Sequence, residues 1–125
     1  MPTPLRLINS ITELHATDAG CIAVSGSHGG LSSAGFAAAA KPLLSVFNDA
    51  GVGKDQAGIA GLNFLQSQCL AACTVAHTSA CIGVAQSTLQ EGIISHTNAL
   101  AQALGVCIGH TCKQAVAAAQ AAAHH

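Results

Sequence analysis

Short apolar runs recur along the chain, each followed by a polar or glycine-rich break and then by a stretch with helical spacing. Leu5-Arg6-Leu7-Ile8 is the first run, a strand. Ser10-Ile11-Thr12-Glu13 after it places Ser and Glu three apart, the capping box of a helix start. Gly20 supplies a left-handed cap to end that helix, and Cys21 to Val24 reads as a buried strand broken by Ser25-Gly26-Ser27-His28-Gly29-Gly30. An alanine-rich helix capped by Ser32 or Ser33 runs to Ala40, where Lys41-Pro42 stops it because proline lacks the amide a helix needs. Leu43 to Phe47 is the third strand. Ile59, Leu62, Phe64 and Leu65 share the core face of a helix reaching about Gln68, and Leu70 to Val75 is the fourth strand. Leu89, Ile93, Leu100 and Leu104 form one stripe, which predicts a single helix opening at a second capping box, Thr88 to Glu91, and ending at Gly105. Val106 to Ile108 reads as a short extended piece, followed by a final alanine-rich helix from about Thr111.

The repeating order of strand, loop and helix specifies the α/β class: a small parallel sheet of about four strands with flanking helices, three layers in the Rossmann-like or flavodoxin-like manner. A chain of 125 residues has room for one such domain, residues 1 to 125. Residues 120 to 125, ending in His124 and His125, read as a tail left by a purification tag. Right-handed crossovers bring every strand-to-helix loop to the carboxyl edge of the sheet, where open α/β folds bind ligands.

Composition narrows the partners. Half the residues are hydrophobic (50%), against 4 Lys plus Arg and 5 Asp plus Glu, whereas a typical soluble domain is about a quarter charged. So uncharged a surface points to a homo-oligomer. No apolar run reaches the roughly 18 residues of a membrane span, and Met1 to Arg6 lack a signal pattern, so a cytoplasmic protein that does not engage the membrane is expected. A net charge of −1 and three Phe without Tyr or Trp leave neither the basic stripe nor the stacking platforms that nucleic acid requires. The six cysteines are expected to be reduced and mostly core residues. Cys107, His110 and Cys112 lack the second ligand pair of a structural zinc site.

Three loops carry candidate chemistry. Ser25, Gly26, Ser27, Gly29 and Gly30 surround His28 and offer close backbone approach and helix-start amides to an anion. The second loop, Asn48-Asp49-Ala50-Gly51-Val52-Gly53-Lys54-Asp55, concentrates three of the chain's nine charged side chains. Gly53-Lys54 has a P-loop flavour, but Asp55 stands where magnesium needs Ser or Thr, which excludes ATP hydrolysis by that route. The third loop, His77-Thr78-Ser79-Ala80-Cys81, holds a base and two nucleophile types, although adjacency in sequence does not make them face one another. His96, Asn98 and His110 are assigned structural or interfacial roles.

Ser25 to Gly30, Phe47 to Ile59 and His77 to Ala80 together resemble a family of small uncharacterised bacterial α/β proteins marked by SGSHGG and FNDAGVGKDxAGI motifs. The resemblance runs from about Ile11 to Gly109 and implies one shared site without implying an activity. In that family the third motif continues Arg-Ile-Gly-Asp, whereas this chain reads Cys81-Ile82-Gly83-Val84, so an anion-holding arginine and its carboxylate partner are missing.

The reading that results is a hydrolase or lyase acting, without a nucleotide or other cofactor, on a small polar or carboxylate-bearing metabolite. His28, Asp49 and His77 are the catalytic candidates; Ser25, Gly26, Ser27, Gly29, Gly30, Asn48, Lys54 and Ser79 are the substrate-binding ones. The alternatives are a noncatalytic oligomeric module that binds a small anion or self-assembles, and a metal site built from His28, His77 and Asp49.

Overall fold

The structure, a computed structural model, describes residues 3–123. It is a three-layer α/β fold around a five-stranded sheet in the sequential order β1 (Leu5–Ile8), β2 (Ile22–His28), β3 (Leu44–Asn48), β4 (Ala71–Val75) and β5 (Ile94–Thr97). The first four strands are parallel and β5 is antiparallel to β4. The helices are α1 (Leu31–Ala40), α2 (Ala60–Ser67), α3 (Ala85–Glu91), α4 (Ala99–Ala103) and α5 (Cys112–Ala123).

The strands form where apolar residues alternate between two covered faces. Ile22, Val24, Leu44, Val46, Cys73 and Val75 point into one core with α4 and α5, where Ala101, Ala115, Val116 and Ala119 meet them. Phe47 and Ala72 point the other way, against Ala34 and Ala37 of α1 and Leu62 and Leu65 of α2. Small alanines on the helices allow close approach to the sheet. Strands buried on both faces explain why β3 and β4 read as continuous apolar runs rather than as simple alternation.

Several elements differ from the sequence expectation: α1 starts at Leu31 with Gly30 as its N-cap, so Ser32 and Ser33, the expected caps, lie inside the helix. Ser10 and Glu13 do form a capping box, but it closes only the 3-10 turn Ile11–Glu13. The single helix expected from Thr88 to Leu104 is instead α3, β5 and α4. Thr88 lies inside α3, its hydroxyl donating to Ser25 O, and Gly92 ends α3 so that Ile94 to Thr97 can pair with β4. β5 adds a fifth, antiparallel strand to the expected four. Val106 to Ile108 is not a strand. The last helix opens as expected at Thr111, which exchanges hydrogen bonds with Gln114 and starts α5. That helix continues to Ala123, into the expected tail, and His124 and His125 lie outside the described residues.

Lys41 caps α1 in the left-handed conformation (φ 56°), its amide donating to Ala37 O, ahead of Pro42. Of the cysteines, Cys21, Cys73 and Cys112 are buried, whereas Cys69, Cys81 and Cys107 are exposed. All six are free thiols, and half rather than most are core residues. Burial pushes the Cys112 thiol up to about 12 and raises Cys73 as well, with Cys112 adding to it. No helix among the described residues is long and apolar enough to cross a membrane.

Among the described residues, one buried side-chain polar atom is unpaired. Ser45 Oγ is buried in β3 without a hydrogen-bond partner, and an unsatisfied buried hydroxyl costs roughly 1–3 kcal/mol. Ser45→Ala is therefore expected to stabilise the protein by about 1 kcal/mol, read as a higher urea midpoint at unchanged slope. A lower midpoint would contradict the assignment.

Candidate active site

Asp49 follows β3 directly and is only 4% exposed. Its Oδ1 accepts from the amides of Gly51 (2.8 Å) and His77 (3.0 Å), and Oδ2 accepts from the Ser95 hydroxyl (2.8 Å). Two imidazoles flank the same carboxylate: His77 Nδ1 lies 3.3 Å from Oδ1 and His96 Nδ1 lies 3.9 Å from Oδ2. Burial alone would raise the Asp49 pKa. The hydrogen bonds from Ser95, Gly51 and His77 together outweigh it and hold the carboxyl below its ordinary value.

The backbone around Asp49 is bent to make this cradle. Ala50, Gly51, Val52 and Gly53 all have positive φ (53°, 75°, 68° and 72°). For the β-branched Val52 this conformation is strongly disfavoured, so neighbouring contacts must hold it. Val52 N donates to Asp49 O (2.7 Å), and Val52 O accepts from Gly58 N (2.7 Å). Gly58 packs so closely on the Asp49 carbonyl that a Cβ there would collide with it. The His77 ring lies over Gly51, where a Cβ would sit 3.4 Å from Cε1.

His77 leaves the end of β4 with its side chain 55% exposed. With Nδ1 turned to Asp49, Nε2 is left for a cavity of about 240 Å³ lined by His77, Thr78, Ser79, Ala80, Cys81 and Glu91. The Ser79 hydroxyl is committed, donating to Ala76 O (2.6 Å) and accepting from Ile93 N (3.0 Å). Cys81 is an exposed thiol on this wall and not one of the core cysteines.

The other expected residues mostly build the framework. The register pairs His28 with Asn48 and Asn48 with Val75, so the three loops do leave adjacent strand ends. His28 is nevertheless exposed and accepts the Gly30 amide at Nδ1 (3.1 Å), outside the Asp49 network. Ser25 is buried and donates to Val46 O (3.0 Å); Ser27 Oγ accepts from Ile11 N (2.9 Å). The Gly29 amide donates to Asn48 O (3.0 Å), so neither it nor the Gly30 amide is left for an anion. Gly26 is covered by Gly83, whose amide donates to Gly26 O (2.7 Å). Asn48 is buried, donating to Ala80 O (3.2 Å) and accepting from Ala50 N (2.8 Å), which ties the second and third loops together. Lys54 is exposed in the 3-10 turn Lys54–Gln56.

Ser95 and His96 are the functional candidates that the sequence pattern hides. The available signal was Gly92 ahead of Ile93-Ile94, together with polar His96 and Thr97 where a continuous helical stripe needs an apolar residue. Among the described residues, no three His, Cys, Asp or Glu side chains are grouped to hold a metal ion, which removes the geometric basis for a site of His28, His77 and Asp49. No family profile, curated protein or solved structure matches the chain.

The depressed Asp49 pKa fixes a sign. A carboxyl with a lower pKa folded than unfolded stabilises the fold above the unfolded value, near 3.9, and that contribution is lost as pH falls through the folded value. Asp49→Asn is expected to flatten the acid limb of stability against pH below about pH 5, measured by urea unfolding at stepped pH. Parallel limbs in the two proteins would refute this.

Proposed function

We propose that the protein is a small-molecule enzyme, a hydrolase or lyase, with His77 as its acid–base group and Asp49 as the residue that orients it. The observation that carries this reading is the buried, ionised Asp49 carboxylate 3.3 Å from His77 Nδ1. A carboxylate in that position keeps the ring proton on Nδ1 and steadies the imidazolium that forms when Nε2 takes a proton. Asp49 is held from three other directions and has little freedom to turn away.

For hydrolysis, Cys81 supplies the nucleophile in the same cavity. Its thiol proton passes to His77 Nε2, the sulfur attacks a carbonyl carbon, and His77 returns the proton to the departing group. Water, deprotonated by His77, then releases the acyl group from sulfur. For a lyase, Nε2 removes the substrate proton itself.

Glu91 lines this cavity, and no Lys or Arg does. The substrate that suits it is polar and either uncharged or amine-bearing, so the anionic ligand expected at Lys54 and the Gly26 to Gly30 amides is not carried into this reading. His28 stands outside the acid–base pair.

A substrate-independent test is site-resolved alkylation with iodoacetamide. Cys81 is expected to react faster than the exposed Cys69 and Cys107, and to lose that advantage in His77→Gln and Asp49→Asn. Equal reactivity of the three thiols in the wild-type protein would overturn the nucleophile assignment. Turnover found in a screen of small esters, amides and hydroxy acids should fall about 100-fold or more in His77→Gln. Turnover indifferent to that change would overturn the role of His77.

A second reading, a self-assembling module, is favoured by edge strand β1, where Leu5 (38%) and Leu7 (41%) are exposed along an unpaired backbone edge. Light scattering should then show an oligomer that Leu5→Lys with Leu7→Lys converts to monomer. A wild-type monomer at all concentrations would exclude it.

A further inference from the structure

We infer that a second cavity, beneath His96 on the α1–α2 side of the sheet, binds a small aliphatic monocarboxylate. It has a volume of about 370 Å³, at the lower end of the roughly 300–1,000 Å³ of ligand pockets, so its occupant is of metabolite size. Leu31, Ile59 and Leu62 give it apolar wall, and Gln56, Asn63 and His96 give it polar wall. It shares no lining residue with the His77 cavity. Asp49 lies between them, its Oδ1 facing His77 and its Oδ2 facing Ser95 and His96.

The hydrogen bonds around His96 leave one ring nitrogen for the head group. Ser95 has one proton, and it goes to Asp49 Oδ2 (2.8 Å). The Ser95 oxygen therefore accepts, from Thr74 Oγ1 at 3.0 Å and from His96 Nδ1 at 3.1 Å. With Nδ1 donating to Ser95, Nε2 is the ring nitrogen left for a ligand, and its proton would be donated to a carboxylate oxygen. The second ligand oxygen is within the chemistry of the exposed Gln56 and Asn63 amides.

The titratable groups facing His96 are Asp49 and, across that carboxylate, His77. The residues of α1 and α2 that line the cavity are uncharged, and the turn that supplies Gln56 also carries Lys54 and Asp55. No lining residue other than His96 can carry positive charge, which fits a ligand with one negative charge and not a phosphate or a dicarboxylate. The three apolar residues match a short hydrocarbon chain. This site does not depend on His77 catalysis, and its test reads binding alone.

The experiment compares butyrate, butyramide and butylammonium by calorimetry and by imidazole NMR on the full chain. Butyrate should bind about ten-fold more tightly than butyramide, the worth of one charge-assisted hydrogen bond, with butylammonium weakest and the His96 signals moving saturably. His96→Gln should abolish that preference. Leu31→Asp, at an exposed first position of α1 that tolerates an acid, removes apolar wall for both ligands and adds a negative charge, so it should weaken butyrate more than butyramide, which separates a charge effect from misfolding. His77→Gln should keep butyrate binding. Equal binding of butyrate and butyramide, butyrate binding unchanged in His96→Gln, or the absence of saturable His96 shifts would each overturn the inference. So would loss of butyrate binding in His77→Gln alone. Failure of the hydrolase or lyase reading would alter none of these results.

Discussion

A buried negative charge at the edge of the sheet organises the rest of the site. An ionised carboxylate withdrawn from water is expensive unless hydrogen bonds replace its hydration, and Asp49 receives them from three elements: its own loop, the end of β4, and β5. The left-handed run from Ala50 to Gly53 exists where the Gly51 amide must turn back to reach Oδ1. Gly58, packed on the Asp49 carbonyl, closes the same loop from behind. Strain in one short segment is thus held in place by contacts that also keep the carboxylate ionised.

The antiparallel fifth strand changes what this edge can do. A fifth parallel strand would present only its trailing loop to the site. β5 runs the other way, so its residues lie alongside β4 and bring Ser95 and His96 next to Thr74. Asp49 consequently has an imidazole on each side, reached directly at one oxygen and across a serine at the other. The two imidazoles open onto cavities of different character, one lined by Cys81 and Glu91 and the other by Leu31, Ile59 and Leu62 together with uncharged amides.

Much of the fold was legible because apolar runs, glycines and prolines act locally. Pro42 after Lys41, the buried runs at Ile22 to Val24 and Leu44 to Phe47, and the cap at Thr111 each follow from a few neighbouring residues. The segment from Thr88 to Leu104 was not legible in that way. Its leucines and Ile93 fit a helical stripe, yet the pairing of Ile94 to Thr97 with β4 is a long-range contact that no local pattern encodes. The site was half legible for the same reason. Asp49 and His77 stand out as polar residues after buried runs, but Ser25, Asn48 and Ser79, equally conspicuous in sequence, satisfy backbone groups instead.

The hydrogen bonds to Asp49 span long stretches of chain, 28 residues to the His77 amide and 46 to the Ser95 hydroxyl. Contacts so distant in sequence require the intervening loops to be closed. The carboxylate therefore acquires its full set of partners only once the edge strand has docked. A chain with β1 to β4 assembled but β5 undocked has the crevice without the second imidazole, so completion of the site coincides with completion of the fold.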